Sequence, residues 1–161
     1  MTNNEIIKRL RYILDYSDEQ MIAVFEQADQ RITRSLLSDW LKKEDDPEYK
    51  ELSDMQLAIF LNGLINEKRG KREGDQPKPE RHLDNNMILK KLKIAFDLKS
   101  EDMQHIFKLS NKSVSTQELG GFLRNPKQSQ YRPCLDQYLR NFMMGLQIKY
   151  RGSGTDTTLS N

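Results

Sequence analysis

The chain opens on apolar residues at helical spacing. These apolar residues, which recur every three or four positions, are Ile6, Ile7, Leu10, Ile13 and Leu14. The cations on the opposite face are Lys8, Arg9 and Arg11. This periodicity predicts an amphipathic helix. Asn3 or Asn4 is expected to cap that helix, because an asparagine side chain accepts hydrogen bonds from first-turn amides.

Three further helices are predicted before residue 70. Ser17 with Gln20 and Ser53 with Gln56 have the spacing of capping boxes, and Thr33 is expected to cap the helix between them. The apolar faces of these helices are Met21, Val24, Phe25 and Ala28; Leu36, Leu37, Trp40 and Leu41; and Leu57, Phe60, Leu61, Leu64 and Ile65. No window alternates at period two, so the pattern predicts helices and no strand.

The whole pattern then occurs a second time. Residues 85–152 repeat residues 3–70 at a constant offset of 82 residues without a gap, and the two windows share 19 identities. An offset that survives every loop indicates an internal duplication. The predicted fold is therefore all-α, with two tandem four-helix repeats, residues 1–70 and 85–152, packed together. Trp40 and Phe122 are expected in matching core positions.

The segments outside the repeats are polar. Residues 71–84 contain Gly74, Pro77 and Pro79 and are predicted to be a linker, and residues 153–161 are predicted to be a disordered tail. Each repeat is small for a domain, so its exposed apolar residues are expected to be buried by the other repeat. A second copy of the chain could bury them instead, which would give a homodimer.

Glycines at two places carry structural information. Gly63 and Gly145 fall in the middle of the fourth helix of each repeat, where glycine costs about 1 kcal/mol relative to alanine. Their recurrence predicts that another helix crosses too close for a side chain. The pair Gly120-Gly121 lies within the third helix of the second repeat, where it indicates a close helix approach or a weak turn rather than a phosphate loop.

Composition narrows the function classes. The chain has 26 basic and 24 acidic residues and a net charge of +2, which is too balanced to favour nucleic acid on bulk charge. No run of about 18 apolar residues is present, so no membrane span is expected. The first residues lack a signal-peptide pattern and Cys134 is the single cysteine, which together favour the reducing cytoplasm.

The residues that could carry chemistry are few. His82, His105 and Cys134 are far apart in sequence, so no metal site is predicted. Cys134 corresponds to Leu52 of the first repeat, which favours a packing role over a nucleophile. No catalytic residue and no cofactor are predicted, and an enzyme is not favoured.

The recurrent polar residues are the preferred candidates for a binding surface. A tyrosine beside a cation can stack on and pair with a planar anionic partner, or it can fix its own loop to the helices, and the second interpretation is favoured. If the repeats are related by a pseudo-twofold axis, these residues form two equivalent patches. The candidates are Tyr49, Lys50 and Arg69 in the first repeat and Tyr131, Arg132 and Arg151 in the second.

Nucleic-acid binding is the alternative. Helices two and three of a repeat could form a helix-turn-helix, with Thr33–Lys43 or Ser115–Arg124 as recognition helix, although the connection lacks the usual glycine. A basic run at the end of the first repeat could bind phosphates without specificity. The cations involved in this alternative are Arg34, Lys42, Lys43, Lys68, Lys71 and Arg72.

The chain resembles a known family in two stretches, Asn3-Asn-Glu-Ile-Ile-Lys-Arg-Leu-Arg-Tyr and Lys93-Ile-Ala-Phe-Asp-Leu-Lys-Ser-Glu-Asp-Met. They are similar to the YehS-like family of bacterial proteins, a domain of unknown function found as two tandem copies. The resemblance covers Met1–Gly152 and implies an all-helical bacterial cytosolic protein without an assigned activity. The favoured hypothesis is a non-catalytic binding or adaptor module for a protein partner that the sequence does not identify.

Overall fold

A computed structural model describes residues 1–152, which form eight α-helices and no strand. The first repeat contains α1 (Asn3–Leu14), α2 (Asp18–Gln27), α3 (Arg34–Leu41) and α4 (Asp54–Arg69). The second contains α5 (Asn85–Ala95), α6 (Ser100–Leu109), α7 (Thr116–Leu123) and α8 (Asp136–Arg151). The predicted all-α fold with four helices in each repeat is confirmed. The predicted disordered tail, residues 153–161, lies outside the described residues.

The chain divides into two compact units. Of the described residues, one unit comprises 2–83, and the other comprises Met1 and 84–152. The segment predicted as a linker contains no helix, and it is bonded to the helical part of the first repeat at three places, one of which is the 2.6 Å contact between Lys71 and Asp29. Gln76 accepts from the amide of Asn66 at 2.8 Å, and the backbone N–H of Leu83 donates to Asp54 at 2.9 Å. The packing of one repeat on the other stays a prediction.

The helix starts follow the capping residues of the sequence. Ser17, Thr33 and Ser53 each cap a helix as predicted, and Ser115 caps α7 in the same way as its equivalent Thr33 caps α3. The cap of α1 is Thr2, so the prediction of Asn3 or Asn4 is wrong. Thr2 forms a capping box with Glu5, which leaves both asparagines inside the first turn with side chains available for other contacts.

Both repeats place their helices in the same way. The second helix packs most extensively on the fourth, α2 on α4 and α6 on α8, and the first helix packs on the third and the fourth. In the first repeat, the Phe25 ring lies 5.6 Å from Trp40 and 5.3 Å from Phe60, centroid to centroid. Trp40 and Phe122 are each 1% exposed, so the predicted correspondence of their core positions is confirmed.

The glycines of α4 and α8 allow the close helix crossing that was predicted. A Cβ at Gly63 would overlap the carbonyl oxygen of Val24 on α2 and lie 2.9 Å from its carbonyl carbon. A Cβ at Gly145 would overlap the carbonyl oxygen of Ile106 on α6 and lie 2.7 Å from its carbonyl carbon. Because backbone atoms cannot rotate away, each crossing requires a glycine.

Candidate functional site

A buried asparagine on α1 holds the connection between α3 and α4. The Asn4 side-chain amide donates to the carbonyl oxygens of Trp40 at 3.0 Å and Lys50 at 2.8 Å, and its oxygen accepts from the Leu52 N–H at 2.9 Å. Asn4 is 4% exposed. One side chain therefore satisfies three backbone groups that the irregular connection leaves without helix partners.

The second repeat reproduces this arrangement. Asn86 donates to the carbonyl oxygens of Phe122 at 3.0 Å and Arg132 at 2.8 Å, and it accepts from the Cys134 N–H at 2.9 Å. It is also 4% exposed. Both repeats therefore hold the connection between their third and fourth helices at the same backbone positions.

The preceding asparagine adds a second tie in each repeat. Asn3 donates to the Asp54 carboxylate at 2.7 Å, and Asn85 donates to the Asp136 carboxylate at 2.8 Å. These bonds are the main cause of the lowered pKa of both aspartates. The ties place the start of the first helix against the start of the fourth.

The connections held in this way carry opposite charge. Residues 42–52, the acidic loop, contain three cations and five carboxylates, a net charge of −2. Residues 124–134, the basic loop, contain three cations and no carboxylate, a net charge of +3. A common scaffold thus presents two different electrostatic surfaces.

Two cations of the acidic loop are paired with a carboxylate on the preceding helix. Asp39 on α3, whose side chain is 9% exposed, lies 2.6 Å from the Lys42 ammonium and 3.5 Å from that of Lys50. The hydrogen bond from Lys42 is the main cause of the lowered pKa of Asp39, and it raises the pKa of Lys42 in return. Lys42 and Lys50 therefore already have a carboxylate partner in Asp39.

The basic loop has a different arrangement at this place. Gly121 stands where the first repeat has Asp39, and a Cβ there would lie 2.9 Å from the Cβ of Arg132. The atoms close to Gly121 belong to the loop and not to another helix, so the close helix approach predicted for Gly120-Gly121 is wrong in its partner. The Arg132 guanidinium lies 3.3 Å from the carboxylate of Glu118, which is on α7 one turn before Gly121. The same carboxylate accepts a hydrogen bond from the Tyr138 hydroxyl at 3.2 Å.

Comparison with known proteins gives the duplication a family. The profile described as "Protein of unknown function (DUF1456)" matches residues 3–70 and again residues 85–152. The chain belongs to the DUF1456 family. It is also similar to the "Uncharacterized protein YehS" of Escherichia coli (strain K12), with 39% identity over 150 residues, which are 92% of this chain and 96% of that protein. No solved structure matches the chain significantly.

The predicted surface residues of the DUF1456 repeats lie in two places. Tyr49 and Tyr131 are half-buried in the two loops, and burial is the main cause of their raised pKa. Lys50 and Arg132 are exposed beside them. Arg69 and Arg151 end α4 and α8, helices of 16 residues, which places them about 20 Å from the loops. In each repeat the tyrosine and the cation beside it lie in the same loop, whereas the arginine at the end of the fourth helix lies far from that loop.

The cations of the helix-turn-helix interpretation are dispersed and largely neutralised. Arg34 pairs with Glu19, and Lys71 lies 2.6 Å from Asp29. The others lie on separate elements: Lys42 and Lys43 follow α3, Lys68 is on the last turn of α4, and Arg72 follows that helix. The DUF1456 helix α3 therefore presents no basic stripe, and its role in nucleic-acid binding stays a prediction without support from the geometry.

The remaining chemical candidates give no reactive centre. Cys134 is 4% exposed, and burial raises the pKa of its thiol to about 12, so it carries no thiolate at neutral pH. Residues 1–152 contain no group of three or more His, Cys, Asp and Glu side chains arranged to hold a metal ion. Among the helices of the same residues, none combines the length and apolar character that crossing a membrane requires.

The electrostatic difference between the repeats was missed in the sequence. Residues 1–70 contain ten basic and fourteen acidic side chains, a net charge of −4, whereas residues 85–152 contain twelve and five, a net charge of +7. The near-neutral total hides this difference. The signal appears as soon as charge is counted for each DUF1456 repeat separately.

Proposed function

We propose that this protein is a non-catalytic binding module of the bacterial cytoplasm whose two repeats engage two partners of opposite charge. The acidic loop binds a basic surface, and the basic loop binds an acidic one. The observation that carries the proposal is the pairing of equivalent, identically bonded loops with net charges of −2 and +3.

The rigidity of the loops supports a binding role. Each is held by three hydrogen bonds from a buried asparagine, so little conformational entropy is lost when a partner docks. The opposite charge of the two loops lets each bind one partner and reject the other, because a contact between like charges costs several kcal/mol. The module therefore has the properties of an adaptor for two different ligands.

The half-buried tyrosines fit the same role. Tyr49 and Tyr131 are adjacent in sequence to Lys50 and Arg132, whose backbone carbonyls the asparagines hold. Each tyrosine thus offers a partly exposed ring on a fixed backbone, next to an exposed cation. An amphipathic ring of this kind adds contact area at small entropic cost.

Site-specific photo-crosslinking in living cells tests the proposal. A photoreactive phenylalanine analogue replaces Pro47 or Ser129, the exposed and equivalent residues of the two loops. Adducts are separated with and without nuclease treatment and identified by mass spectrometry. We expect both positions to give adducts, with different partners, and we expect the adducts at position 129 to be lost in an Arg124→Glu/Lys127→Glu background.

Ala23 and His105 provide the matched controls, because they are exposed, equivalent to each other and located on α2 and α6 away from the loops. Adduct yields at 47 and 129 no greater than at these positions would contradict the proposal. A single adduct of twice the chain mass at both loops would also overturn it, since it would show that copies of the chain bind one another.

A further inference from the structure

We propose that the second repeat binds the phosphate backbone of duplex nucleic acid through a basic face formed by Lys90, Arg124, Lys127 and Arg132. The inference rests on the proposed function, because it names the acidic partner of the basic loop. It places the contact on the second repeat, where Arg124 ends the candidate recognition helix Ser115–Arg124, and in the loop that follows rather than along the helix. The expected mode is electrostatic and independent of base sequence.

Hydrogen bonds hold Lys90, Arg124 and Arg132 of this face close together, in an arrangement that also occurs in the first repeat. The Lys8 ammonium on α1 donates to the carbonyl oxygen of Lys42 at 2.7 Å. Its equivalent, Lys90 on α5, donates to the carbonyl oxygen of Arg124 at 3.1 Å. Asn86, one turn before Lys90, holds the carbonyl of Arg132. The ammonium of Lys90 and the backbones of both arginines are therefore fixed side by side.

The second repeat keeps these cations and lacks the carboxylates that surround them in the first. Lys90, Arg124 and Arg132 replace Lys8, Lys42 and Lys50 one for one. At the acidic positions the second repeat has Gly121 for Asp39, Pro126 for Glu44, Lys127 for Asp45, Gln128 for Asp46, Gln130 for Glu48 and Pro133 for Glu51. Apart from Arg132, which pairs with Glu118, the cations of this face in the second repeat are thus left available for an anion from outside.

The charge of the basic face is largely unpaired. Arg132 has Glu118 at 3.3 Å, and the exposed Arg124 and Lys127 form no ion pair with a carboxylate within residues 1–152. Both arginines replace lysines, and a planar guanidinium can bind two phosphate oxygens at once. The substitutions thus favour a phosphate ligand over a diffuse counterion.

The neutral side chains of the basic loop are also arranged as donors. The Asn125 oxygen accepts from the Lys127 N–H at 3.2 Å, and the Gln128 oxygen accepts from the Asn125 N–H at 2.7 Å. Both oxygens thus accept a backbone N–H, and neither side-chain NH₂ group donates a hydrogen bond within residues 1–152. Asparagine and glutamine donors beside arginine and lysine are typical of contacts to phosphate.

The surroundings argue against an acidic protein as the ligand. Protein interfaces depend on aromatic or aliphatic anchors, and the basic loop offers one aromatic ring, the half-buried Tyr131, whose hydroxyl can also bond a phosphate, and no large aliphatic side chain. The exposed apolar side chain nearest in sequence is Leu135, 64% exposed, at the start of α8. Its neighbourhood is acidic, because Asp84 and Asp136 act on the adjacent Cys134. Leu135 therefore lies outside the basic loop and next to carboxylates, whereas Arg124 and Lys127 lie in the first part of that loop.

Fluorescence anisotropy of a labelled 20-base-pair DNA duplex with the full chain tests the inference. Three to four phosphate contacts predict weak binding at 50 mM salt and a slope of log K against log salt of about −3. Two duplexes of unrelated sequence are expected to bind equally. Arg124→Glu/Lys127→Glu should weaken binding at least tenfold, and the neutral Arg124→Gln/Lys127→Gln should lie in between.

The matched control is Lys78→Glu/Arg81→Glu, which changes net charge by the same amount at exposed residues outside both loops. An equal loss of binding in this control would attribute the effect to bulk charge and overturn the inference. Absence of duplex binding by the native chain would do the same. Polyglutamate that binds as tightly as duplex, with the same loss in Arg124→Glu/Lys127→Glu, would identify an acidic protein instead and leave the proposed function standing.

Discussion

Replacing Gly63 or Gly145 by alanine is expected to destabilise its own repeat by about 2–3 kcal/mol. The added methyl group would overlap the carbonyl oxygen of Val24 or Ile106, so the facing helix must move away and part of the core must repack. The gain in helix propensity, about 1 kcal/mol, offsets only part of this cost. Urea unfolding followed by circular dichroism measures the change, and hydrogen exchange assigns it to one repeat.

Gly120→Ala is the matched control for these substitutions. A Cβ at Gly120 meets no atom within 4 Å, although the residue lies inside α7 as the other two lie inside α4 and α8. We expect Gly120→Ala to be neutral or to stabilise the protein by up to about 1 kcal/mol. If Gly63→Ala and Gly120→Ala changed the unfolding free energy alike, the helices would not cross at the observed separation.

Asn4→Ala and Asn86→Ala are each expected to cost about 3 kcal/mol or more. The change at Asn4 leaves the Trp40 and Lys50 carbonyls and the Leu52 N–H without their partner, in a site that is 4% exposed. Each unsatisfied buried polar group costs about 1–3 kcal/mol. The unfolding free energy should fall accordingly, and amides of the loop held by the altered asparagine should lose hydrogen-exchange protection first.

Asn141→Ala is the control for the asparagine substitutions. Asn141 lies in α8, and its side chain takes part in a 3.3 Å hydrogen bond with Gln137 on the same helix. Its removal is expected to change the unfolding free energy by less than about 0.5 kcal/mol. A cost for Asn4→Ala as small as that for Asn141→Ala would show that water replaces the three bonds and that the asparagine does not fix the loop.

The sequence predicts the fold well because the duplication supplies two independent copies of each local signal. Gly63 alone would be an unremarked weak point in a helix, whereas its recurrence as Gly145 indicates a crossing, which the overlap with Val24 and Ile106 confirms. The aromatic pair Trp40 and Phe122 is identified in the same way. Helical spacing and capping residues then suffice to place the elements.

The candidate site is predicted less well, for physical reasons. Asparagine near a helix start is a good cap, so Asn3 and Asn4 were assigned that role, and their long-range bonds to the loop have no local signature. Tyr49 and Arg69 both recur in the second repeat, but recurrence does not show whether two residues lie close in space. The length of α4 separates these two. The opposite charges of the loops can be counted in the sequence, but the net charge of +2 for the whole chain hides them.

The central claim is that equivalent loops bind ligands of opposite charge, and amide chemical-shift mapping of the full chain tests it most directly. A ¹⁵N-labelled sample is titrated in parallel with a DNA duplex and with pentalysine at 50 mM salt. The account predicts that duplex shifts amides of residues 124–134 and spares residues 42–52, and that pentalysine does the reverse. Shifts of the same loop by both ligands, or shifts confined to residues outside both loops, would contradict it.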